Sequence, residues 1–164
     1  QPNDLNILER NTTEMILPFN EEVFVFWGGT TVEENYHMAD VNQQFAYDIL
    51  MAKEGASYVG DALKNENYFV FGKEIIAPCD ARVVKVIRGV KDNVPGENNP
   101  EQLTGNTVVL RTVNNEYLLF AHLKEGSIVV EEGQDVLQSD VLGQCGNSGN
   151  STEPPLHCTP QNGV

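Results

Sequence analysis

This 164-residue chain has only three histidines, His37, His122 and His157. Chemistry that needs a nitrogen ligand or a proton carrier near neutral pH must draw on them. His157 sits in STEPPLHCTPQNG, residues 151–163, between two proline-broken fragments; His122 directly follows the apolar run Tyr117-Leu-Leu-Phe-Ala121; and His37 precedes Asp48 across a polar loop, residues 38–44. Asp48 lies in Phe45-Ala-Tyr-Asp-Ile-Leu50, flanked by Tyr47 and Ile49. A carboxylate in an otherwise apolar strand is costly unless something pairs with it. A hydrolytic zinc site typically takes three ligands from His, Asp or Glu and leaves a fourth position for water. His37, Asp48 and His157 would suffice for such a site. Spacing leaves the plainer alternative open, that scattered histidines serve as surface or core residues. Cys79, Cys145 and Cys158 form no CxxC, so neither a zinc ribbon nor a redox pair is expected. Buried free thiols are the expectation, with a Cys145–Cys158 bridge as the alternative.

The elements that must carry these residues read as strands nearly throughout. Residues 22–27 are β-branched and aromatic and run into Gly28-Gly29. Residues 45–50 alternate, so Phe45, Tyr47 and Ile49 share one face while Ala46, Asp48 and Leu50 share the other. Further strands are expected over 68–71, 81–87, 106–111, 117–121, 127–130 and 136–142, divided by Gly, Asn and Pro. No stretch keeps a helical period for three turns. Many short strands at close spacing predict an all-β fold, an antiparallel sheet or sandwich, as one domain over 1–164 with its core at about 24–164. Residues 90–103, with two prolines, read as a surface loop. Gly72-Lys-Glu-Ile-Ile-Ala-Pro78 and Gly133-Gln-Asp-Val-Leu-Gln-Ser139 echo one another and suggest similar approaches to strands.

Composition narrows the partners. With 24 acidic against 10 basic residues the formal charge is −14, which excludes nucleic acid and anionic lipid surfaces as expected partners. No run approaches the roughly 18 apolar residues of a membrane span. The first residues, Gln1-Pro-Asn-Asp, lack the basic and apolar regions of a signal peptide, so a cytoplasmic or already processed chain is expected.

A series of short motifs then adds a family to this reading. Asn35-Tyr-His37, Gln44-Phe-Ala-Tyr-Asp48, Ile76-Ala-Pro-Cys-Asp-Ala-Arg-Val83, Gly105-Asn-Thr-Val-Val-Leu110, Ala121-His-Leu123, Gly133-Gln-Asp-Val136 and LGQCGNSGNS at 142–151 occur in one order. In that order the chain resembles the lysostaphin/LytM-type zinc metallopeptidases, from about Trp27 to His157. The resemblance implies an antiparallel β-sheet groove holding one Zn2+, with a peptidoglycan or glycine-rich peptide as substrate and an extracellular or periplasmic location. It implies His37, Asp48 and His157 as metal ligands, with a longer loop between the first two than the family's usual spacing. It implies a catalytic part for His122, orienting water or stabilising the tetrahedral intermediate. Tyr36 or Tyr47 could add a hydrogen bond, with core packing as their plainer role.

One departure from the family pattern stands out. The family's closing His-x-His has Pro155 at its first position and His157 at its second. Positions two apart on a strand share a face, so the catalytic helper expected at 155 is replaced by a ring with no proton to give. Pro160 lacks an amide hydrogen for a ladder, so the last strand is expected as an edge or an altered terminus. The alternative to a peptidase is therefore a degenerate member acting as a binding or regulatory protein for cell-wall enzymes. A carrier domain is a third reading, because Ile76-Ala-Pro78 and the β-pattern also resemble the glucose-permease phosphocarrier and the biotinyl/lipoyl hammerhead. That reading leaves His37 and Asp48 without a role.

Overall fold

The computed structural model describes residues 13–20, 24–27, 47–154 and 156–162; for the strands at 24–27 and 47–50 and for most of the strand at 156–162 it describes the backbone alone. Among the described residues nine strands form in chain order: β1 Phe24–Trp27, β2 Tyr47–Leu50, β3 Glu74–Ile76, β4 Ala81–Ile87, β5 Asn106–Thr112, β6 Glu116–Leu123, β7 Asp135–Val136, β8 Val141–Gln144 and β9 Leu156–Asn162. Seven make one sheet in the order β1-β2-β9-β6-β5-β4-β7, and β3 pairs with β8 in a second. Every pairing is antiparallel. The all-β antiparallel expectation holds, and the helical content among the described residues is one 3-10 turn, Asn65–Asn67.

Alternation explains where the core lies. Val83 on β4, Val108 and Leu110 on β5, and Leu118 and Phe120 on β6 turn to one face of the large sheet. Ile75 of β3 and Leu142 of β8, both fully buried, pack against that face with Val70, Val130 and Val136. The small sheet therefore covers the large one, and burial of these β-branched and aromatic side chains is what holds the two together.

Three expected strands differ. Residues 68–71 form a turn after the 3-10 segment, with Tyr68 bridged singly to Tyr58 and Lys73 N bonded to Val70 O. Tyr68 and Val70 are buried there without a ladder, because Gly72 at φ 78° turns the chain at once. Residues 127–130 run extended, touching β8 through the 3.0 Å bond from Val129 N to Leu142 O, but join no sheet. The single strand expected over 136–142 breaks at Ser139, where φ is 77° and Leu137 N donates to the Asp140 carboxylate. Polar Gln138-Ser139-Asp140 favours that turn by bonding its own backbone.

The internal echo has a structural counterpart. Gly72 and Gly133 both take left-handed φ, 78° and 85°, and each stands two residues before a strand. Beyond those strands the two copies meet: Ser139 N donates to Ala77 O and Ala77 N to Asp140 O.

All three cysteines are free and buried, so the expected bridge alternative falls away. Burial pushes the Cys158 thiol up to about 12. Burial, with the Asp92 carboxylate second, likewise raises the Cys145 thiol above its usual range. Both should resist alkylation in the native chain at pH 8 and react once it is unfolded, as a timed thiol titration with and without denaturant will read. A raised thiol pKa stabilises fully below the unfolded value of roughly 8.5, and that contribution is lost as pH climbs from there toward the folded value. The urea midpoint is expected to fall between pH 8 and pH 10, and to fall less in Cys158→Ala.

Candidate functional site

Strand order brings the sequence-predicted residues together in part. β9 lies between β2 and β6, and its register sets Asp48 directly opposite His157, with Tyr47 opposite Cys158 and Ile49 opposite Leu156. On its other side His157 is opposite Ala121, the neighbour of His122. Three residues that are 48, 122 and 157 in sequence thus occupy adjacent strands at nearly one level. Directly opposed positions of an antiparallel pair have Cβ atoms about 4.5–5.5 Å apart, close enough for two side chains to share a ligand. His37, Tyr36 and Pro155 lie outside the described residues.

β9 is a full strand despite Pro160, contrary to the expectation of an altered terminus. It runs against β6 from Ala121↔His157 to Glu116↔Asn162, while β2 flanks it only from Leu156 to Cys158. Pro160 stands where, among the described residues, β9 has a partner on one side alone. The strand is interior at His157 and an edge at Pro160, which is where proline is tolerated.

His122 is placed by a defect in its own strand. Between Asn106↔Leu123 and Val108↔Phe120 the β5–β6 register shifts, so β6 holds two residues, Ala121 and His122, against Thr107 alone. This is a β-bulge, and His122 within it has φ 60°. A non-glycine residue in the left-handed region costs on the order of 1–2 kcal/mol, so the surroundings must hold it there. Those surroundings are polar and closed. His122 N donates to Thr104 O at 2.8 Å, and its Nδ1 lies 2.7 Å from Ser148 O. Ser148 Oγ donates to Leu123 O at 2.7 Å and accepts from Asn106 N at 3.0 Å. The Asn106 side chain, 1% exposed, donates to Val90 O and Leu123 O and accepts from Val90 N.

Sequence reasoning missed Asn106, Ser148 and a second group beside them. The Asn147 amide lies 3.0 Å from that of Asn65, whose Nδ2 donates to Asn93 O, while Asn93 Nδ2 donates to Gly149 O and Ser151 O. Asp92 accepts from Asn147 N at 2.7 Å and from Glu125 N at 3.1 Å. The loop at 90–103 is therefore fastened to residues 146–151 rather than free on the surface. The available signal was asparagine recurring beside glycine, in Gly105-Asn106 and in GNSGNS, where close backbone approach and side-chain bonding go together.

Among the described residues no three His, Cys, Asp or Glu side chains gather as a metal group, in a set that includes neither His37 nor the side chains of Asp48 and His157. No helix among them is long and apolar enough to cross a membrane.

The described sheet is all antiparallel, with Asp48 and His157 at opposed positions of β2 and β9 and the bulged His122 on the next strand. The chain belongs to peptidase family M23, whose sequence model matches residues 68–163. This is the family to which the lysostaphin/LytM resemblance pointed. No curated protein matches the chain. Among solved structures it is similar to a chain of the SpoIIIAH–SpoIIQ complex, at 17% identity over 90% of this chain and 92% of that one, with a TM-score of 0.57. It is also similar to a provisionally named M23 peptidase from Pseudomonas aeruginosa, at 18% identity over 91% and 45%, TM-score 0.53. A zinc-containing peptidase from Vibrio cholerae matches at 23% identity over 57% and 25%, TM-score 0.43. The chain spans a quarter of the Vibrio structure and under half of the Pseudomonas one.

Proposed function

We propose that this chain is a zinc-dependent endopeptidase acting on peptidoglycan-type peptides outside the cytoplasm, with His37, Asp48 and His157 as metal ligands and His122 as the catalytic histidine. Asp48 standing directly opposite His157 is the observation that carries this reading. Two imidazoles and one carboxylate are a nitrogen and oxygen donor set of the kind that suits a catalytic zinc with an open fourth position. Bound there, zinc supplies Lewis acidity, easing loss of a proton from water and polarising a peptide carbonyl. The residues of the chain then divide the remaining work. His122 offers an imidazole to hold water or a developing oxyanion. A proline at 155 has no proton and no hydrogen bond to donate, and loss of one such donor costs about 100-fold to 1,000-fold in rate.

Pro155 also favours a second reading, a binding or regulatory protein that kept the fold and lost turnover. Measuring zinc in the purified protein, then turnover of a pentaglycine and a stem-peptide substrate by the parent and by Pro155→His, separates the two. The peptidase reading expects one zinc per chain, measurable parental cleavage and a gain of about 100-fold in Pro155→His. A silent parent with a strongly active variant supports the regulator. Absence of both zinc and turnover in the two proteins sinks the peptidase.

A further inference from the structure

We infer that Ser148 and Asn106 are positioning residues that hold the His122 ring as its Nδ1–H tautomer and keep the bulge beneath it from relaxing. The inference rests on His122 being the catalytic histidine of the proposed peptidase. A carbonyl oxygen only accepts, so at 2.7 Å from Ser148 O the His122 Nδ1 must carry a proton. In the neutral ring the lone pair then sits on Nε2, and that nitrogen is the one able to take a proton or to accept a bond from water.

What makes the arrangement a device rather than one chance contact is that Leu123 O, Asn106 N and both backbone groups of Val90 are tied to the same two side chains. Ser148 is fully buried, and its hydroxyl joins Leu123 O, the carbonyl after His122, to Asn106 N on the facing strand. Asn106 adds a second donor to Leu123 O at 3.0 Å and clamps Val90 at both its N and its O. The loops leave no slack for rearrangement: a Cβ on Gly105 would come 2.5 Å from the Ser148 carbonyl carbon, and one on Gly149 would strike Gln102 O and Gly105 N. The carbonyl that receives the His122 proton is thus fixed by backbone contact, and the bulge that presents the ring is fixed by Ser148 Oγ and Asn106.

Long-range proton–nitrogen NMR of the zinc-loaded chain, with the His122 signals assigned by their loss in His122→Gln, reads the tautomer directly. Nδ1 is expected protonated and Nε2 bare at pH 8. A ring found as the Nε2–H form overturns the inference. Ser148→Ala keeps the accepting carbonyl, so the Nδ1–H tautomer is expected to persist, while release of the bulge lowers kcat by about 10-fold to 100-fold, as for lost outer-shell partners, with KM unchanged. A folded Ser148→Ala protein that keeps the parental kcat also overturns it. Should that variant not fold, Asn106→Asp, which keeps shape and the acceptor to Val90 N but loses both donations, is judged by the same fall in kcat. If the parent hydrolyses nothing, the peptidase reading fails on its own, and the parental tautomer still decides whether the Ser148 carbonyl holds the ring.

Discussion

Asp48→Asn is expected to abolish zinc-induced stabilisation while leaving the metal-free chain as stable as the parent. Zinc at 100 times its dissociation constant stabilises a one-site protein by about 2.7 kcal/mol. For a chain of this size that is a rise in Tm of roughly 5–10 °C. The change from Asp to Asn preserves volume and removes the charge that a divalent ion needs. Asp48 stands opposite His157 on a strand otherwise built from apolar and aromatic residues. Asp48→Asn removes one charge from a strand of apolar and aromatic residues, so the apo variant should melt at or slightly above the apo parent. Turnover should drop by more than the 10-fold to 100-fold that an outer-shell change costs. Scanning calorimetry with and without zinc checks both halves. A variant that keeps the parental zinc shift removes Asp48 from the ligand set.

The second large effect is on stability. Gly105→Ala places a methyl group 2.5 Å from both the Ser148 carbonyl carbon and Ser148 Oγ, at a residue with φ 61°. The left-handed backbone adds about 1–2 kcal/mol of strain, and overpacking against a backbone that cannot give way adds about 1–3 kcal/mol. A loss of about 2–5 kcal/mol follows, read as a lower midpoint in urea. Gly55→Ala is the control, because Gly55 has φ 80° with open space around its Cα. That variant should lose only the backbone part. Equal losses in the two would show that the contact between Gly105 and Ser148 is looser than described.

Much of the central sheet was legible because its strands are long and β-branched. Residues 81–87 and 106–111 read as strands from their β-branched residues, and strands form over 81–87 and 106–112. Residues 68–71 look alike in composition, yet four apolar residues after Asn-Glu-Asn and before a left-handed Gly72 are too few to hold a ladder. His122 shows the limit most clearly. Leu118 and Phe120 face the core, so strict alternation sends position 122 inward as well; instead Leu123 is buried and His122 half-buried, because the bulge advances the chain by one residue. The pattern Leu118, Phe120, Leu123 contains that shift, and an apolar residue arriving one place late was the available signal. The Asp48–His157 pairing could not be read from spacing, since β2 and β9 are more than 100 residues apart and only the register joins them.

Pro160 has a further effect. Past Cys158, β9 has neighbours along β6 only, among the described residues. A sheet margin offers amide hydrogens to any extended peptide from a second molecule. A residue without an amide hydrogen stands here, two residues past the last described β2 pairing, Tyr47↔Cys158. Proline at 160 therefore withholds one amide hydrogen from this stretch, as suits a residue at the margin of a sheet.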